Sequence, residues 1–135
     1  MTPEDTDDIW ALYNVISVGD EVEAFTLRKI QLENSQGATV DTQKIKLVLA
    51  VRVEKLDVDL EAGCLRVNGR NVKENKHVKL GSYHTLELEC DRWAKVSKSC
   101  WDGLSLQMIA QSTSDSGKYE VAAVVLQEAL AHVCV

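Results

Sequence analysis

Apolar positions at Ile45, Leu47, Leu49, Val51 and Val53 alternate with Lys44, Lys46, Val48, Ala50, Arg52 and Glu54. A period of two predicts a strand with one buried face and one wetter face. Upstream, Val22, Ala24 and Leu27 form a weaker apolar set, with Thr26 and Arg28 read across from them. Residues 33–43 between these arms are polar, contain Gly37 and lack any core-forming run. The pattern predicts two antiparallel strands joined by a long exposed loop whose root carries Arg28, Lys29, Lys44 and Lys46. A connection longer than a hairpin requires is often kept for binding.

Before this hairpin, Ile9, Leu12, Tyr13 and Ile16 fall at helical spacing, bordered by Trp10. Thr2 or Thr6 is the expected cap, Asp5, Asp7 and Asp8 suit the positive helix end, and Gly19 marks the exit. Trp10 and Tyr13 read as core anchors against a sheet. After the hairpin, 56–63 reads as a connector ending in a turn. Cys64–Val72 reads as a short strand on Leu65 and Val67, followed by an Asn68-Gly69 turn signal. Residues 73–79 read as a solvated loop. Tyr83–Cys90 alternates again, with His84, Leu86, Leu88 and Cys90 on one face, and Trp93–Lys98 reads as a further strand. The period then lengthens: Leu104 and Met108 predict a short helix from Trp101 to about Gln111. A linker-like 112–117 follows. In 119–135, alanines favour helix and valines favour strand, and local pattern does not choose between them. The class expected is mainly β with flanking helices, an α+β arrangement.

Composition changes this picture little: 135 residues at 45% hydrophobic suit a core of ordinary size. No apolar run is long enough to cross a bilayer, and the acidic MTPEDTDDIW is unlike a leader, so a cytoplasmic location is expected. Cys64, Cys90, Cys100 and Cys134 show no C-x-x-C spacing, and His77, His84 and His132 are scattered. Reduced, packed thiols are expected, with no zinc site and no cofactor. Net charge is −6, which argues against nucleic acid until its distribution is considered. The first 27 residues hold seven of the 21 acids and none of the 15 bases, leaving the remainder about neutral. A basic patch on such a body is permitted.

Several separate segments carry a family resemblance: PEDTDDIWALYNVISVGDEV, FTLRKIQ, LRVNGRNVKENKHVKLGSYHTLELE and the helix after CWD. Together they resemble the amino-terminal domain of the Pelota family, ribosome-rescue factors related to class 1 eukaryotic and archaeal release factors. The tail EVAAVVLQEALAHVCV is similar to the opening of that family's middle domain. The resemblance implies a small Sm-like β-barrel over 1–112, a linker at 113–118 and the start of a middle domain at 119–135. It implies a module that enters the decoding site of stalled ribosomes, meeting ribosomal RNA and the mRNA channel, in no-go mRNA decay and ribosome rescue. Its implied partners are a translational GTPase of the elongation-factor class and the ribosome-recycling ATPase. The sequence contains neither N-I-K-S nor G-G-Q, the usual parts for stop-codon recognition and peptidyl-ester hydrolysis. Family chains carry strands ahead of the first segment and a full middle domain. A barrel edge without its partner is therefore expected, with the tail packed on the barrel or mediating a dimer.

RNA recognition needs cations for phosphate and polar groups that reach bases or 2′-hydroxyls. The candidates for phosphate are Arg28, Lys29, Lys44 and Lys46, and the family resemblance implies a further basic site at Lys95 and Lys98. Asn34 and Gln36, with Ser35, Thr39 and Gln43, are the candidates for the second role. Two other readings stand beside this one. A protein-interaction module would use the acidic first helix and a barrel edge. A nuclease would need carboxylates converging on Mg²⁺, from Asp57, Asp59 and Glu61 or from Glu87 and Glu89, or a histidine such as His84. No residue is assigned a catalytic role.

Overall fold

The computed structural model describes residues 1–33, 39–114, 123–127 and 130–134, and side chains outside 30–42 and 115–135. They fall into two compact units, Met1–Trp101 and Asp102–Val135.

The first unit begins with α1 (Thr6–Val15), capped by Asp5, whose Oδ1 accepts the Asp8 N–H at 3.0 Å. A carboxylate there replaces either expected threonine and also faces the helix dipole favourably. Ile9, Leu12, Val15 and Ile16 are buried, and Tyr13 packs beside them. Trp10 is not a core anchor: it is 47% exposed and stacks on Tyr13 at 5.4 Å between ring centroids.

Five strands follow: β1 (Glu21–Glu33), β2 (Thr39–Asp59), β3 (Cys64–Asn71), β4 (Tyr83–Glu89) and β5 (Ala94–Ser97). They pair antiparallel in the order β4-β3-β2-β1-β5. Although two strands separate them in that order, β1 and β4 lie against each other, so the sheet curls back on itself. This is the expected barrel in an incompletely closed form, with β4 and β5 as edges. Inside the curl Val22, Ala24, Leu49, Val51, Val53, Leu65, Val67, Leu86 and Leu88 form the core with the α1 stripe. Backbone bonds from Gly19 to Val53 and from Val53 to Asp20, each 2.8 Å, fasten the helix exit to β2.

Four local expectations change. The strands take in much of the expected 33–43 loop, because β1 continues to Glu33 and β2 begins at Thr39. The 56–63 connector is strand as far as Asp59, paired with the start of β3. Asn68-Gly69 is not a turn but lies inside β3, opposite a bulge in β2 between Val53 and Lys55. The bulge brings the backbones so close that a Cβ on Gly69 would stand 2.0 Å from the Arg52 carbonyl oxygen. Glycine answers a close approach here, a known use of Gly within a strand. Residues 73–79 are also less free than expected. Val78 is buried, and the buried Asn71 side chain donates to the Lys73 and Lys79 carbonyls. Among the cysteines, Cys64 is buried, Cys90 half-buried and Cys100 exposed, all as free thiols.

In the second unit, Asp102 caps α2 (Gly103–Thr113), accepting the Ser105 N–H at 2.7 Å. Leu104, expected on its apolar stripe, is exposed, while Met108 is half-buried. The undecided tail is strand: β6 (Ala123–Gln127) and β7 (Leu130–Cys134) form their own two-stranded antiparallel sheet. The linker at 113–118 falls mostly outside the described residues.

Replacing Gly69 with alanine forces the β2 bulge apart. Thermal unfolding of G69A should show a loss of about 1–3 kcal/mol or more. G103A, where an added Cβ meets nothing within 4 Å, should be nearly neutral.

Candidate nucleic-acid interface

Beyond Ala24 on β1 and Ala50 on β2 the neighbouring strands stop, so among the described residues the two arms pair only with each other. This two-stranded ribbon carries the candidate cations. Its register sets Lys29 directly opposite Lys44, Leu27 opposite Lys46 and Phe25 opposite Val48. Directly opposed residues share a face, and all six are exposed. Like charges facing each other across a ladder cost stability unless something anionic lies between them. Among the described residues, no carboxylate lies within ion-pair distance of Lys29, Lys44 or Lys46. The Lys46 ammonium instead lies 4.5 Å from the Phe25 ring centroid.

Arg28 does not join them. Strand alternation puts it on the same side as the buried Val22 and Ala24, facing β4. Its Nη1 lies 2.9 Å from Nδ1 and 3.1 Å from Nε2 of His84, so the guanidinium donates to whichever ring nitrogen lacks a proton. The expected four-cation cluster is thus divided. Leu27, read as inward, is outward and 61% exposed.

Lys95 is exposed and stands opposite Glu23 in the β1–β5 ladder, where Glu23 is also ion-paired to Lys73. Lys98 is withdrawn from any surface. It pairs with Asp20, donates to the Val15 carbonyl at 2.7 Å and reaches Ser17 Oγ at 3.4 Å. The two side chains are only 6% and 11% exposed. This pair fastens the end of β5 to the exit of α1, a structural role that sequence reading missed because the partners lie far apart in the chain. Asn34 and Gln36 lie outside the described residues, and Gln43 is exposed on β2.

The acidic candidates do not converge. Arg66 stands between Asp57 and Glu87, at 3.8 and 3.7 Å, and Arg92 holds Glu89 at 3.1 Å. Asp59 accepts the Ala62 N–H in the turn after β2. Among the described residues no three metal-ligating side chains come together.

These contacts have measurable consequences. Substituting Lys98 with methionine strands Asp20 as a buried, unpaired charge and should cost about 3–5 kcal/mol in chemical denaturation. Burial, and then the neighbouring Arg28 charge, lower the His84 pKa from its ordinary 6.5. The unfolded chain therefore binds a proton more readily than the folded one. The His84 contribution to stability is complete above pH 6.5 and is lost as pH falls from there through the lowered folded-state value. In H84Q that segment of the stability–pH curve should flatten, as read by unfolding at a series of pH values.

Comparison with known proteins bears on this geometry. The family described as the Pelota N-terminal domain matches residues 1–113. The pelota homologue of Rattus norvegicus is 44% identical over 134 residues, covering 99% of this chain and 34% of that protein. The Gallus gallus homologue is 45% identical and Drosophila melanogaster pelota 42%, each with the same coverage. The chain thus spans about a third of the length of the curated relatives it matches. Among solved structures, ribosome-bound archaeal Pelota, described together with ABCE1, aligns over 98% of this chain and 40% of its own. Its TM-score is 0.68 and its identity 24%. Archaeoglobus fulgidus Pelota aligns over 94% of this chain and 32% of its own, with a TM-score of 0.62 and 26% identity. The Saccharomyces cerevisiae protein Dom34 is a termination-like factor of RNA quality control that interacts with Hbs1. It aligns over 99% and 35%, with a TM-score of 0.67 and 23% identity. A strongly curled five-stranded sheet behind a capped helix, matched by sequence almost end to end, places the chain in the Pelota family, as its amino-terminal domain.

Proposed function

We propose that this chain is the ribosome-sensing part of a Pelota-type factor, entering the decoding site of stalled ribosomes in no-go decay and ribosome rescue. The observation that supports this most directly is the Lys29–Lys44 pair at the two-stranded ribbon. Two exposed lysines at directly opposed positions, with Lys46 one same-face step along, suit a phosphate backbone better than a solvated strand surface. Asn34 and Gln36, between the arms in sequence, are the groups assigned to bases or 2′-hydroxyls, and Lys95 supplies a further cation. The segment 113–118 is read as a linker and 119–135 as the start of a middle domain.

The whole protein works in the cytoplasm with a translational GTPase and a recycling ATPase. That reading is supported by the Hbs1 interaction of Dom34 and by ABCE1 beside ribosome-bound archaeal Pelota. Its task is recognition and not catalysis. The pairing of Asp57 and Glu87 with Arg66 favours binding over metal-assisted cleavage, because a guanidinium occupies the space between the carboxylates.

Binding of the chain to structured ribosomal RNA fragments, titrated against salt, tests the reading. Log affinity should fall linearly with log salt. K29A/K44A should weaken binding on the order of tenfold and reduce the slope by about 1.4–1.8. Arg28→Ala, by contrast, should lower stability through the lost His84 contact and leave the slope unchanged. Salt-independent binding, or a slope that K29A/K44A does not move, counts against the reading.

A further inference from the structure

The outward face of the ribbon carries more than charge. Phe25 on β1 and Trp93, just ahead of β5, are each 38% exposed, and their rings meet at 5.8 Å between centroids with planes inclined by 57°. The β1–β5 register explains the meeting. Ala24 pairs with Ala94 on the buried side, so the preceding Trp93 falls beside Phe25 on the solvent side. Val48, directly opposite Phe25, is 41% exposed and extends the apolar floor. A water-facing stretch of strand ordinarily spends such positions on polar groups, and the inward row here already supplies the core.

We infer that Phe25 and Trp93 form a stacking platform for an unpaired RNA base, with Lys46 and the Lys29–Lys44 pair holding the adjoining phosphates. This deepens the RNA reading above and rests on it, since it names single-stranded RNA as the ligand of the same face. Charge complementarity selects the occupant. Lys46 borders the rings and the Lys29–Lys44 pair follows on the same face of the ribbon, while the nearest outward carboxylate on β1, Glu23, is ion-paired to Lys73. Every base offers a π-face, so paired aromatic rings beside a cationic track bind single strands with little sequence preference. A base buried in a duplex cannot reach such a platform. The Lys46 ammonium seated over Phe25 marks where cation and ring act together.

The 135-residue chain, titrated with three probes, decides the matter. The probes are a short unstructured ribo-oligonucleotide, the same backbone with abasic sites, and an RNA duplex. Phe25→Leu and Trp93→Leu should each weaken the unstructured oligonucleotide about tenfold. Neither should alter affinity for the abasic backbone or the duplex, and thermal midpoints should stay close to wild type. The tryptophan fluorescence change on binding should vanish in Trp93→Leu alone. K29A/K44A should weaken all three probes alike. If the ring variants bind the unstructured oligonucleotide as tightly as wild type while K29A/K44A does not, the platform is overturned and the RNA reading stands. If no probe binds, both fall. If the ring variants abolish concentration-dependent self-association in sedimentation while RNA affinity is unmoved, the face docks protein and the platform is again overturned.

Discussion

A β-strand gives successive side chains to opposite faces, and at Arg28–Lys29 this constraint divides one dibasic pair between barrel interior and water. Arg28 turns inward toward β4 and closes on the His84 ring, bridging the side of the barrel where backbone pairing is missing. Lys29 turns outward and meets Lys44 across the ladder. The same geometric rule thus supplies a closure contact and an exposed cationic position from adjacent residues. A slip of one residue in the β1–β2 register would exchange them, exposing the core row and burying the lysines. The backbone bonds that Val53 accepts from Gly19 and donates to Asp20 pin that register near the root of the ribbon.

The basic residues follow a division of labour. All five arginines are engaged: Arg28 with His84, Arg52 with Glu21, Arg66 with Asp57 and Glu87, Arg70 with Glu54, and Arg92 with Glu89. Arginine's planar fork suits fixed partners, whereas lysine is a compact, strongly hydrated point charge on a flexible stem. The exposed pairs add little to stability individually, but they remove those guanidinium groups from competition for anions. What remains presented on the ribbon is lysine. A chain of net charge −6 can therefore still offer a cationic face, because its first 27 residues hold seven acids and no base while the remainder is about neutral.

What could be read from sequence followed from how local the cause was. The alternation in 45–53 identified the inward row of β2 correctly, since Leu49, Val51 and Val53 are all buried. The stripe of α1 was equally legible, although Val15 was overlooked and Trp10 was placed inside. Leu27 misled because hydrophobicity was given more weight than period: counting in twos from Val22 puts Thr26 and Arg28 inward. Asn68-Gly69 carries a strong turn signal, and only the approach of Arg52 from another strand reveals why the glycine is there. The Lys98–Asp20 pair could not be read at all. Its cause is the docking of β5 beside the α1 exit, which no local pattern encodes.

The ribbon also shows why a charge arrangement unfavourable in the free protein can persist. Two exposed ammonium groups in water repel by about 1 kcal/mol or less even at close approach, and salt screens them further. A two-stranded ribbon without flanking strands is itself only marginally stable. Such a cost is tolerable here because the ribbon is continuous at its root with the five-stranded sheet and its buried core. An anion seated between Lys29 and Lys44 reverses the sign of that local interaction, so binding and the order of the ribbon reinforce each other. The core therefore carries the stability, and the ribbon is left with water-facing charges that an anion would neutralise.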